Sequence, residues 1–133
     1  MNPYAQYQKT SIETANQGQL ILMLYDGAMR FSRQAITAVE TGKIEEAHLR
    51  IVRVQQIVHE LSISLNRKDG GDLAKNLSDL YEYIQHRLFQ ANIRKEKEIL
   101  EEIIHLLETL RDAWKTVFQN SPSPKNDSGK KPE

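Results

Sequence analysis

Along most of this chain, apolar residues return at three- and four-residue intervals, the period of an amphipathic helix rather than the strict alternation of a strand. Four segments carry the pattern. The first covers about 18–41 with Leu20, Leu24, Gly27, Phe31, Ala35 and Ala38 on one stripe, and Asn16 and Gln19 spaced as a capping box before it. The second, about 43–65, aligns Ile44, Ala47, Ile51, Val54, Val58, Leu61 and Leu65. In the third, about 72–93, the stripe is Leu73, Leu77, Leu80, Ile84, Leu88 and Ala91; in the fourth, about 96–118, it is Ile99, Ile103, Leu107, Leu110, Trp114 and Val117. No proline interrupts the chain between Tyr4 and Ser121. Rods of this length run ~33–36 Å each. Four matched rods with short connections predict an all-α fold, an antiparallel four-helix bundle.

The breaks between rods differ in clarity. Gly42 follows the first stripe, where a left-handed helix C-cap is common. Asn66-Arg67-Lys68-Asp69-Gly70-Gly71-Asp72 ends one rod with basic residues and starts the next with an acid, the order the helix dipole favours. Between the third and fourth rods, Asn92-Ile93-Arg94-Lys95-Glu96-Lys97 holds neither glycine nor proline, so a continuous helix over 72–118 stays open as an alternative. The fourth rod begins acidic (Glu96, Glu98, Glu101, Glu102) and ends basic (Arg111, Lys115), again with the dipole.

Outside the rods the composition changes. Residues 119–133 are polar, with Pro122, Pro124 and Pro132, and cannot bury enough apolar surface to order themselves; a disordered tail is expected. Residues 1–15 place Tyr4 and Tyr7 three apart, with Ile12 beyond. Two aromatics on a chain end point to docking, so a short N-terminal capping segment (Tyr4, Tyr7, Ile12) is expected to lie on the bundle. Residues 1–118 thus form one helical-bundle domain and 119–133 the tail.

The 133 residues carry 18 basic and 18 acidic side chains, and this balance removes the global attraction a general nucleic-acid binder needs. With no cysteine, disulfide scaffolds, thiolate metal sites and cysteine nucleophiles are excluded. The longest apolar run, Leu20–Tyr25, falls far short of the ~20 residues of a membrane span. Met1-Asn2-Pro3-Tyr4 has neither the basic start nor the apolar stretch of a signal peptide. These features lead to the expectation of a soluble, intracellular protein with no nucleic-acid or membrane partner.

Catalytic and metal chemistry find little support. Glu45-x-x-His48 and Glu102-x-x-His105 have the spacing of a carboxylate-bridged dimetal site, but both lie off the core stripes, and the first rod offers no inward carboxylate. His59 and His86 flank apolar stripes singly. Ser62, Ser64 and Ser78 have no base-and-orienter arrangement, and Gly70-Gly71 lacks the phosphate-loop pattern. No metal, no cofactor and no enzymatic activity are expected.

What stands out is apolar surface beyond the roughly three positions in seven that a bundle helix needs. The first rod is apolar all round over Leu20–Tyr25, leaving Leu22, Tyr25, Met29 and Ile36 as a second stripe. Leu49, Val52 and Ile63 are surplus in the second rod; Tyr81, Tyr83 and Phe89 in the third. One reading is that the bundle simply buries wide faces. The other is a groove for an apolar helix of another chain, formed by Leu22, Tyr25, Met29, Leu49, Val52 and Tyr81; a homodimer interface would use the same surface. On the groove reading, Tyr25→Asp weakens partner binding and leaves thermal unfolding little changed.

Specific blocks of sequence go further. Asn2-Pro3-Tyr4-Ala5-Gln6-Tyr7-Gln8, Thr14-Ala15-Asn16, Leu20-Ile21-Leu22-Met23-Leu24-Tyr25-Asp26-Gly27-Ala28, Leu80-Tyr81-Glu82-Tyr83-Ile84, Arg87-Leu88-Phe89-Gln90-Ala91-Asn92-Ile93 and Leu110-Arg111-Asp112-Ala113-Trp114-Lys115 follow one another in order. In that order and spacing, over about 2–118, the chain resembles the flagellar secretion chaperone FliS family. Two departures are the Lys95-Glu96-Lys97 junction, without the expected turn residues, and Asn16-Gln17-Gly18 in place of a Ser/Thr-Pro helix start.

The resemblance implies a cytoplasmic, non-enzymatic export chaperone. It would bind the disordered C-terminal segment of flagellin, prevent premature polymerisation and support delivery to the flagellar type III secretion apparatus. It also implies that Tyr4, Tyr7 and Ile12 form a cap displaced by the client, with export-apparatus components or a flagellin-assembly regulator as further partners. The alternative is a self-associating helical-bundle adaptor with a different protein client; separately, a weak homodimer is among the expected partner states.

Overall fold

The computed structural model describes residues 17–66 and 71–120. They form four α-helices in sequence: α1 Gln17–Glu40, α2 Ile44–Asn66, α3 Gly71–Arg94 and α4 Lys97–Asn120. Each begins and ends within two residues of the bounds that the periodicity predicts. Neighbours in space are α1 with α2 and α4, and α3 with α2 and α4. Contacts between helices run antiparallel. Down α1 from Glu40 through Arg33 and Asp26 to Gly18, the α4 partners climb through Lys97, Glu108 and Arg111 to Phe118. Between α2 and α3, Gln85 Nε2 donates to the Gln55 carbonyl at 3.0 Å and Asn92 meets His48 at 2.9 Å.

The connections explain themselves chemically. Gly42 sits at φ 74°, with Gly42 N–H bonded to the Val39 carbonyl and Lys43 N–H to the Ala38 carbonyl, the paired bonds of a Schellman cap. Helices α3 and α4 are separate, which closes the continuous-helix alternative. The break is made by Lys95, held left-handed at φ 52°. Its ammonium turns back onto the end of α3, donating to the Asn92 carbonyl at 2.6 Å and to Asn92 Oδ1 at 2.9 Å. The side chain caps the orphan carbonyls where glycine would otherwise be expected.

The core follows the expected stripes on α2, α3 and α4 and departs from them on α1. Ile51, Val54, Val58, Ile84, Leu88, Leu100, Ile103 and Leu107 are wholly enclosed. On α1 the buried positions are Ile21, Tyr25, Gly27, Ala28, Met29, Ser32, Ala35 and Ala38, while Leu20, Leu24 and Phe31 are only half-buried. Gly27, Ala35 and Ala38 of the expected stripe stay inside, and the inward face is shifted from it by less than one residue, toward Ile21, Tyr25, Ala28 and Ser32. Over a segment apolar all round the period alone does not select a face, and close approach to the neighbouring helices decides. Gly27, Ala28, Ser32 and Ala35 let α1 lie close to its neighbours; a Cβ on Gly27 would sit 3.4 Å from Ile57 Cδ1.

Small residues also taper the bundle. Ala35, Ala38, Ala47 and Ala91 are buried toward the end that holds the α1–α2 and α3–α4 turns. The opposite end is filled by Ile21, Leu61, Leu65, Leu77 and Trp114, and there the helices do not close over one another.

Candidate functional site

At the wide end the four helices leave an apolar cleft of about 270 Å³. Ile21 of α1, Leu61 and Leu65 of α2, Leu73 and Leu77 of α3, and Trp114 and Phe118 of α4 form its walls. A shallower depression between α3 and α4 shares Leu73, Leu77 and Trp114 and extends over Leu110, Ala113 and Val117. Two residues at its rim are more open than core membership allows: Leu73 is 62% exposed and Val117 48%. Both occupy core-stripe positions near the ends of their helices, and together they line that depression.

The floor of the cleft is polar chemistry sealed inside the core. The Tyr25 and Tyr81 hydroxyls share a 2.6 Å hydrogen bond across the bundle, and Trp114 Nε1 donates to the Tyr25 oxygen at 3.1 Å. Burial pushes both phenols above the ordinary tyrosine range, so neither ionises near neutrality. The Trp114 ring stacks on Phe118 at 5.3 Å between centroids. Phe118 in turn rests against the backbone of α1; a Cβ on Gly18 would meet its ring at 2.9 Å. The mouth is thus edged by two stacked aromatics on a glycine seat.

This geometry joins Tyr25 to Tyr81 inside the core and does not set the six expected groove residues on one exposed face. Tyr25 and Met29 belong to the core, 0% and 5% exposed, so they form no surface stripe. Tyr81, 2% exposed, reaches only the cleft floor. Leu22 on α1 is half-buried. On α2, Leu49 is exposed and half-buried Val52 borders a separate shallow depression with Gln55, Gln56, His59 and Glu60. On α1 two of the four surplus positions, Tyr25 and Met29, turn inward while Leu22 and Ile36 stay half-buried, and buried tyrosines are acceptable because each hydroxyl finds a partner. Tyr25→Asp would set a carboxylate in this interior, so the expectation of unchanged unfolding is withdrawn. The capping residues Tyr4, Tyr7 and Ile12 lie outside the described residues.

The residues of the cleft that pattern reading missed as a site are Leu61, Leu65, Leu73, Leu77, Trp114 and Phe118. All but Phe118 were assigned to core stripes. The available signal was their position at the helix ends, together with a tryptophan, a large residue seldom fully enclosed, near the end of a stripe.

Histidine and carboxylate positions are engaged separately: His48 bonds Asn92, and Glu102 binds Tyr83 and Arg87. Among the described residues no three His, Cys, Asp or Glu side chains converge as metal ligands, and no helix is long and apolar enough to cross a membrane.

Comparison with known proteins agrees with the bundle and adds lineage. The chain is 37% identical over 128 residues to the flagellar secretion chaperone FliS of Bacillus subtilis, covering 96% of this chain and 95% of that one. It is 34% identical over 116 residues to the Salmonella typhimurium flagellar secretion chaperone FliS, covering 86% of each. A crystal structure described as a flagellar chaperone from bacteria superposes with a TM-score of 0.75 at 21% identity, over 89% of this chain and 96% of the other; this likeness is one of fold. Residues 1–121 match the model of the flagellar protein FliS family, and by that match and these identities the chain belongs to the FliS family.

Proposed function

We propose that this protein is a cytoplasmic flagellar export chaperone that holds the C-terminal segment of flagellin, keeps it from polymerising and supports its delivery to the type III secretion apparatus. The observation that carries this reading is the apolar cleft at the wide end of the bundle. Its walls are almost wholly apolar and supply few polar groups to orient a small molecule or cofactor. An amphipathic helix is suited to it, because bulky side chains one turn apart can enter the cleft and the α3–α4 depression together. Ordering a disordered client uses up about 2–5 kcal/mol of the gross interaction, which keeps the complex reversible.

Calorimetric titration with the C-terminal segment of the cognate flagellin, with circular dichroism of the mixture, tests this. One-to-one binding with a gain in helix is expected, together with at least a tenfold loss in Leu73→Asp, about 1.4 kcal/mol. Because Leu73 is 62% exposed, that variant should melt like the parent. Normal binding by folded Leu73→Asp would move the client away from the cleft. Concentration-dependent light scattering showing a stable pair of chains that flagellin leaves intact would favour the self-associating adaptor instead.

A further inference from the structure

The outer seam of α1 and α2 carries a cluster that the cleft does not use. Phe31, half-buried in the seam, has three guanidinium groups around it: Arg53 at 4.8 Å from the ring centroid, Arg30 at 5.2 Å and Arg50 at 6.0 Å. The nearby carboxylates are engaged. Glu46 binds Arg50 at 3.2 Å, Asp26 binds Arg111, and Glu108 faces Arg33 at 3.5 Å. Among the described residues no carboxylate reaches ion-pair distance of Arg30 or Arg53. Arg50 Nε is buried without a hydrogen-bond acceptor. A chain of zero net charge has therefore gathered an uncompensated positive site at one aromatic ring.

The ring accounts for part of this arrangement, since guanidinium groups are attracted to an aromatic face. It also holds them in place, so less side-chain freedom remains to be lost when an anion arrives. A planar guanidinium fork matches a carboxylate in two parallel hydrogen bonds. The site is compact, and the balanced charge of the chain supplies none of the extended positive field that nucleic acid or an anionic membrane requires. Ile21 at the cleft and Phe31 are ten residues apart on α1, about 15 Å along the axis and roughly 80° around it. The two sites are thus able to hold different molecules at once.

We propose that Arg30, Arg53 and the Phe31 ring between them form a docking point for an acidic segment of a protein partner, distinct from the client held in the cleft. A pair of helical alanine-based peptides tests this, one with glutamates four residues apart along a face and its twin with glutamines. Amide shifts of the full chain are followed by NMR at low and at physiological salt. The glutamate peptide should move the amides around 30–31 and 50–53, more weakly as salt rises, and the glutamine twin should not. In Arg30→Gln/Arg53→Gln, whose substituted side chains are exposed, the fold should be kept and the peptide's affinity should fall about tenfold or more.

Equal shifts from both peptides, shifts centred elsewhere, or undiminished affinity in the double variant would each overturn the proposal. So would tighter binding of inorganic phosphate, of a DNA duplex or of phosphatidylserine vesicles at matched salt, because the site would then serve another class of anion. Titration of the flagellin segment into the double variant separates this proposal from the reading of the cleft. Unchanged affinity is expected, and a parallel loss would assign the arginines to that client.

Discussion

The hydroxyl of Tyr25 on α1 lies 2.6 Å from that of Tyr81 on α3, joining two helices that face each other across the bundle without packing backbone to backbone. Trp114 on α4 completes the group by donating to the Tyr25 oxygen. Tyr25 is the hub, so its loss strands two polar groups while the loss of Tyr81 leaves Tyr25 still paired with Trp114. Tyr25→Phe should destabilise by about 1–3 kcal/mol and Tyr81→Phe by less. The double variant should cost less than both together, because Tyr25→Phe already removes the hydrogen bond that Tyr81→Phe would break. Urea unfolding followed by the fluorescence of Trp114, the sole tryptophan, measures the cycle. Additive effects would mean that the three groups act independently.

Ser32 makes the opposite case. Its side chain is wholly enclosed in α1 and its Oγ has no hydrogen-bond partner, so the hydroxyl is desolvated without return. Ser32→Ala should stabilise by about 0.5–1.5 kcal/mol, from the hydroxyl removed and the better helix propensity of alanine. Ser32→Val should destabilise by about 1–3 kcal/mol, because the close approach of α1 to its neighbours leaves no room for added methyls. Thermal melts of the two variants beside the parent decide it. A less stable Ser32→Ala would reveal a partner for that hydroxyl.

Much of the fold was legible in the chain because its signals are local. Proline is confined to the ends, and the stripes on α2, α3 and α4 follow one helical face each. Gly42 ends α1 as its backbone freedom suggests. Where local signals were doubled or missing, the pattern misled. Helix α1 offered more than one apolar face, and only the tertiary fit of Gly27, Ala28, Ser32 and Ala35 selects the inward one. The break at Lys95 needs a side chain to cap its own helix, which composition does not announce. The cleft was illegible for a related reason. Leu73 and Trp114 obey the core period, and the period does not register that they stand near the ends of their helices, where Leu73 is 62% exposed.

At the narrower end of the α3–α4 interface, Tyr83 donates to Glu102 Oε2 at 2.6 Å and Arg87 Nε donates to Glu102 Oε1 at 2.9 Å. The Tyr83 hydrogen bond holds the Glu102 carboxyl below its ordinary value of 4.5, against the desolvation that opposes it and with help from Arg87. That contribution is present above pH 4.5 and lost as the pH falls through the lower, folded value. For Tyr83 the same bond raises the phenol above 10.0, so its contribution is present below that pH and lost as the pH climbs through the raised value. Stability should therefore fall more steeply on acidification in the parent than in Glu102→Gln, and more steeply on alkalinisation than in Tyr83→Phe. Melting temperatures from about pH 3 to about pH 11 test both arms. Parallel profiles would show that the network is too solvent-exposed to matter.

Lys95 combines a backbone penalty with a side-chain benefit, and three substitutions separate them. A β-carbon in the left-handed conformation carries a penalty of roughly 1–2 kcal/mol that glycine escapes. The ammonium offsets this by bonding the Asn92 carbonyl and Oδ1 at the end of α3. Lys95→Ala keeps the strain and loses the cap; Lys95→Gly loses both. Lys95→Gly should thus be more stable than Lys95→Ala by about 1 kcal/mol, with the parent between them or near glycine. Lys95→Met keeps most of the aliphatic stem and removes the charge, so its deficit relative to lysine isolates the ammonium, about 0.5–1.5 kcal/mol. Denaturant midpoints at constant slope give all three differences. Equal stability of the glycine and alanine variants would mean that the chain relaxes out of the left-handed turn once lysine is gone, and that the ammonium, rather than the backbone, sets the angle between α3 and α4.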